Sequence, residues 1–143
     1  MTRSPGTRST LGVRVRGALL GHPIALAPTI LARHPELAEA RWRAGGLPLR
    51  IGGWCLGQST VAGITLWNTV FLADPDRASL ALLLHELAHV RQFARQRAFP
   101  LLYCWESLRR GYARNRFEAE ADAFARASTT APGAERSPPR LPA

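Results

Sequence analysis

Lysine is absent from this chain: all 19 of its basic residues are arginines, set against 10 acidic ones, for a formal net charge of +9. Such a balance invites a nucleic-acid reading. The arginines are scattered, however, and none of them form the run of about 5 to 8 that marks a nucleic-acid tract. Alongside so much alanine they fit a compositional drift with a solvated basic surface, so no nucleic acid is expected as a partner. Long apolar runs are also missing: nothing approaches the roughly 18 residues of a membrane-spanning helix. Arg14 and Arg16 before GALLGHPIALA imitate a signal peptide, but His22 and Pro23 break its apolar core and Pro28 follows the small residues Ala25 and Ala27. A cytoplasmic protein without membrane contact is expected. Cysteine is scarce. Cys55 and Cys104 lie far apart with no CxxC spacing, which favours two buried free thiols over a disulfide.

What remains reads as one domain of ordinary composition, 143 residues long and 46% hydrophobic. At that size roughly two thirds of the unfolded surface can be buried, so neither disulfide nor metal is needed merely to fold. Residues 1–10 read as a disordered lead-in and 128–143, with four prolines, as a disordered tail. The folded part is then 11–127. Pro35 and the Gly45-Gly46 pair bound a short helix over 35–44. Residues 47–51 and 63–72 read as strands, the latter (GITLWNTVFL) being rich in β-branched and aromatic residues. Asp74-Pro75-Asp76 is a helix start, with the helix running to about Arg97. Pro100 opens another, to Gly111, and Asn115 caps a last one through Ala127. The fold class is α+β: a small upstream sheet packed on one central helix and two further C-terminal helices. AFPLLYCW (98–105) is unusually apolar; it is expected to be core, with contact to a membrane or a partner as the alternative.

The chemistry sits in LLLHELAHV (82–90). On a helix His85 and His89 lie about 40° apart, so both imidazoles can take adjacent corners of a zinc tetrahedron. Glu86 is offset by about 100° and suits a general base acting on water. With four histidines and seven glutamates in the chain, HExxH arises by chance in about one such chain in two hundred. Leu83, Leu87, Val90 and Ala94 form a core-facing stripe, Arg91 and Arg95 a solvent face, and His85, His89 and Gln92 a third, polar face. NRFEAEAD (115–122) offers the next ligand. Glu118 and Asp122 share a helix face with Ala121 and Ala125, while Glu120 points away. Asp122 suits a hydrogen bond from a ligand imidazole. Two alternatives stay open: Asn115 with Glu118 resembles a capping box, and Glu106 is a reserve ligand. His22 and His34 are expected to be non-ligands. Tyr103, Tyr112, Arg114 and Arg116 could donate to an oxyanion but are expected to be structural or solvated.

HExxH followed by a helical ExxxD resembles the gluzincin clan of zinc metallopeptidases. More closely, HELAHVRQF followed by NRFEAEAD is similar to short bacterial gluzincin domains with the signature HELxHVxQ, over about residues 60–127. Such domains usually carry a hydrophobic residue where this chain has Arg91. The resemblance implies a minimal zincin-like domain in which His85, His89 and Glu118 bind Zn2+, Glu86 is the base and Asp122 orients a ligand histidine. It also implies a peptide or protein substrate, added as a strand to an exposed edge within 64–72; an ordinary core strand is the equal alternative. The leading expectation is a zinc-dependent metallopeptidase, and the alternative is a non-catalytic zinc-binding module of a larger assembly.

Overall fold

The indole of Trp42 sets the course of the first half of the chain. In the computed structural model, which describes residues 17–55 and 61–130, its Nε1–H donates to the Leu37 carbonyl at 2.8 Å. That carbonyl would accept from the Arg41 N–H if a helix ran through 35–44. Instead the Arg41 N–H donates to the Asn68 carbonyl at 2.8 Å. The expected helix therefore shrinks to a 3-10 turn, Pro35–Glu39, and strand β2 (Arg41–Ala44) takes its second half.

Strand β2 lies between β1 (His22–Pro23) and β4 (Thr69–Leu72), and β3 (Gly63–Leu66) forms the far edge, in the order β1-β2-β4-β3. The β2–β4 pair is parallel, with Trp42 opposite Val70; the outer pairs are antiparallel. The single strand expected over 63–72 is thus a hairpin. Its turn falls at Trp67-Asn68, with Trp67 held at a φ of 54°, a left-handed conformation that a sequence reader expects of glycine or asparagine rather than tryptophan. Helices α1 (Pro28–Arg33) and α2 (Leu47–Cys55) flank the sheet. The latter overturns the strand expected at 47–51. Leu49 and Gly52 are buried one turn apart while Leu47 and Ile51 are exposed, a helical and not an alternating pattern. A Cβ added to Gly52 would lie 2.6 Å from Ile64 Cδ1, so α2 packs close on β3 here and a larger residue would push the end of the Ile64 side chain aside.

The C-terminal half follows its sequence signals more closely. Asp74 caps only a 3-10 turn, Pro75–Arg77, and Ser79 then restarts the chain as α3 (Leu80–Arg95) by accepting from the Leu82 N–H at 3.1 Å. Helix α4 spans Phe99–Arg110 and stops at Gly111, whose φ is 79°. Helix α5 (Arg116–Thr130) starts under the Asn115 side chain, which accepts from the Phe117 N–H. It also absorbs residues 128–130 of the expected tail, with Ser128 buried. The rest of that tail and the lead-in lie outside the described residues. Cys104 is an exposed free thiol, not a buried one, and the side chain of Cys55 lies outside the description.

One apolar cluster joins these layers: Leu37, Trp42, Val70 and Leu72 from the sheet side, Leu83, Leu84, Leu87 and Ala88 from α3, and Ala121, Phe124 and Ala125 from α5. Helix α3 is buried on most sides because it lies between sheet and α5. Ala88, Ala121 and Ala125 keep the two helices close, and α3 makes its most extensive contact with α5. Enlarging Ala121 should therefore wedge them apart. Ala121→Leu is expected to cost about 1–3 kcal/mol in denaturant unfolding, whereas Ala119→Leu, on the exposed face of the same helix, stays within about 0.5 kcal/mol of wild type.

Candidate metal centre

His85 and His89 project from one face of α3 toward the first turn of α5. Their Nε2 atoms lie 3.1 Å apart. Glu118 meets them with both oxygens, Oε2 at 3.3 Å from His85 Nε2 and Oε1 at 3.3 Å from His89 Nε2. The three ligand atoms fall within 4.8 Å of one another. One turn along α5, Asp122 Oδ1 lies 2.9 Å from His85 Nδ1. Glu118 does not tie off its own helix: the Asn115 N–H that a capping box would give it donates to the Tyr112 carbonyl at 3.1 Å instead. Glu106 is engaged elsewhere, with Arg110 and Arg116. Glu120 points to Arg95, at 2.7 Å. Of the other two histidines, His34 pairs with Glu36, and neither it nor His22 joins the cluster.

The tautomers follow from the partners. Gln92, almost fully buried, donates through Nε2 to the Phe117 carbonyl and to Glu120 Oε2, both at 3.0 Å. Both partners accept only, so the amide orientation is fixed and Gln92 Oε1 must be the atom 2.8 Å from His89 Nδ1. Nδ1 of His89 therefore carries the proton. Asp122 imposes the same tautomer on His85. Each neutral ring is left with an Nε2 lone pair, and the two lone pairs face each other and a carboxylate. That arrangement is repulsive unless a proton or a cation sits among the three groups. Two imidazole nitrogens and one carboxylate oxygen form a donor set that could hold a metal ion, and their chemistry fits zinc.

Titration reflects the same geometry. Burial alone would lower the His85 pKa, but the Glu118 hydrogen bond and the charges of Glu118, Glu86 and Asp122 raise it above its ordinary value. Burial would raise Glu118, yet hydrogen bonds from His85 and His89, which those rings can give only when a proton sits on Nε2, and from Tyr103 hold its carboxyl far below the usual range. Tyr103 and Tyr112 donate to its two oxygens at 2.6 and 2.9 Å. Burial and the Glu118 charge push both phenols well up, so they stay protonated donors.

Glu86 departs toward the sheet. Thr65, on edge strand β3, donates to its Oε2 at 2.7 Å. A Cβ added to Gly63 would lie 2.6 Å from its Oε1, so the strand can run across this carboxylate only as glycine there. Burial raises the Glu86 pKa, the direction a base working near neutral pH requires. His85, Glu86, His89, Glu118 and both tyrosines line one cleft of about 750 Å³, together with mostly apolar side chains of β3, α2, α3 and α4 and with Asp122, Arg126 and Thr129 of α5.

Thr65, Gly63 and the clamping role of Gln92 carry no signal in the sequence reading beyond the polar helix face that already held Gln92. Arg91, expected on a solvent face, is largely covered: it forks onto Glu39 at 2.7 and 3.1 Å and lies 5.1 Å from the Phe124 ring centre. Arg95 is likewise engaged, with Glu120. Comparison of the chain with protein-family models, curated proteins and solved structures finds no match.

Two outcomes follow for metal binding. Gln92→Met and Asp122→Ala should each weaken zinc affinity by roughly 10- to 100-fold in a chelator competition; unchanged affinity in Gln92→Met would show that its amide does not hold the His89 ring. Affinity should also fall with falling pH, because a proton on His85 Nε2 competes with the metal. Since the His85 pKa is raised, titration of affinity against pH should show the loss beginning above the ordinary histidine value of 6.5.

Proposed function

We propose that this chain is a zinc-dependent hydrolase, a metallopeptidase with a zincin-like arrangement of edge strand, ligand helix and third-ligand helix. The observation that carries the reading is the convergence of His85, His89 and Glu118 beside a buried carboxylate, Glu86, in a single cleft. A zinc ion held by those three side chains supplies Lewis acidity, polarising a peptide carbonyl and lowering the pKa of water.

The protein's own residues do the rest. Glu86 takes a proton from the attacking water as its oxygen bonds to the carbonyl carbon, and returns it to the leaving nitrogen as the C–N bond breaks. Thr65 and Gly63 fix the carboxylate for that exchange. Asp122 and Gln92 keep the two imidazoles in register with Glu118. Tyr112, the exposed one of the two phenols, is the donor placed to turn from Glu118 toward the developing oxyanion. Strand β3 has no strand partner on its outer side among the described residues, so an extended peptide can pair there, above Glu86.

The test compares wild type with Glu86→Gln, measuring zinc by mass spectrometry and cleavage of an unfolded polypeptide. Both proteins should hold one zinc, and the variant should lose activity by roughly 10²- to 10⁴-fold. Wild type that binds one zinc yet cleaves nothing more than the variant would leave the zinc-binding module as the better reading.

A further inference from the structure

Helix α4 turns its apolar side outward. Residues 98–105 read as core in the sequence, yet Phe99 is the one buried residue of this helix. Leu101 is 76% exposed, Trp105 58% and Leu108 83%. They stand at i, i+4 and i+7, so they form one ridge, widened by exposed Pro100 and Cys104. Two of its polar side chains, Glu106 and Ser107, face inward. Glu106 is held by Arg110 and Arg116, and Ser107 receives the Asn115 amide at 2.8 Å. The outer face thus carries no negative charge. Along the chain Arg97 precedes the helix, Arg109 lies in its last turn and Arg114 follows it, all exposed and without a carboxylate partner among the described residues.

We infer that this ridge docks on the surface of an anionic lipid bilayer. A Trp/Leu face with arginines at both ends is the chemistry of a helix lying in the interface plane, its apolar side chains among the acyl chains and its cations at the head groups. No described helix is long and apolar enough to cross a membrane, so the contact is peripheral. A second copy of the chain is a poor occupant, since each carries a net charge of +9 and like-charged surfaces repel. Contiguous exposed apolar surface of this kind marks an interaction site, and the charge complement selects the anionic one. Pro100 and Cys104 also line the cleft, so docking places the cleft rim at the lipid surface. That consequence rests on the hydrolase reading; the docking does not.

The test is co-sedimentation of the full chain with vesicles of phosphatidylcholine alone or mixed equally with phosphatidylglycerol. Wild type and Glu86→Gln should bind the mixed vesicles alike, bind pure phosphatidylcholine weakly, and release with salt. Leu101→Ser/Leu108→Ser, at sites too exposed to unfold the chain, should weaken binding by roughly tenfold or more. Glutamine at Arg97, Arg109 and Arg114 should weaken it by roughly fivefold per site. Any of these results would overturn the proposal: no preference for the anionic vesicles, full binding by the double serine variant, or a wild-type dimer in sedimentation velocity that the serine variant abolishes. The last would make the ridge a contact between copies, and capture of a soluble acidic protein with no vesicle binding would count equally against a bilayer.

Discussion

A single buried carboxamide joins the parts of this molecule that matter most. Gln92 accepts from His89 on its own helix and donates across to the backbone of α5 and to Glu120. With one side chain the chain fixes an imidazole tautomer and pins the helix that carries Glu118. A carboxylate at position 92 would accept from His89 but could not donate to the Phe117 carbonyl; an apolar residue could do neither. In surroundings this dry, each unsatisfied partner would cost about 1–3 kcal/mol, so the network holds as a unit.

Around that joint the structure assembles groups that repel one another. Two lone pairs and a carboxylate converge, with Glu86 and Asp122 close behind. Asp122 and Gln92 hold the rings from outside, Tyr103 and Tyr112 hold Glu118, and Thr65 holds Glu86. Every one of these acidic groups has a donor, so the cluster's remaining demand is for positive charge at its centre. The raised His85 pKa and the depressed Glu118 pKa express that demand in protons; the same three groups could hold a metal ion.

The surface tells a complementary story. Arg91 looked solvent-bound on a helical wheel, but it neutralises Glu39 and covers Phe124, packing through its stem and its flat cation. Helix α4 errs in the opposite sense, with leucines outside and its glutamate inside. Both departures have one cause. A helical wheel shows which residues share a face but not what lies opposite, and here the opposite surfaces are a carboxylate for Arg91, paired arginines for Glu106, and nothing described for Leu101 and Leu108.

What the sequence determined was local: the ends of α4 and α5 at Pro100, Gly111 and Asn115, the shared face of His85 and His89, and the divergence of Glu118 from Glu120. Each follows from helical period or capping chemistry, which a chain carries within four residues. Tertiary structure decided everything that needs a distant partner. Trp42 turned a helix into a strand by taking the Leu37 carbonyl, and Asn68 completed the switch by accepting the Arg41 amide. Helix α2 formed where a strand was expected, and Thr65 reached Glu86 across 21 positions. That Glu118 and not Glu106 faces the two histidines was likewise decided in three dimensions, where Glu106 pairs with Arg110 and Arg116.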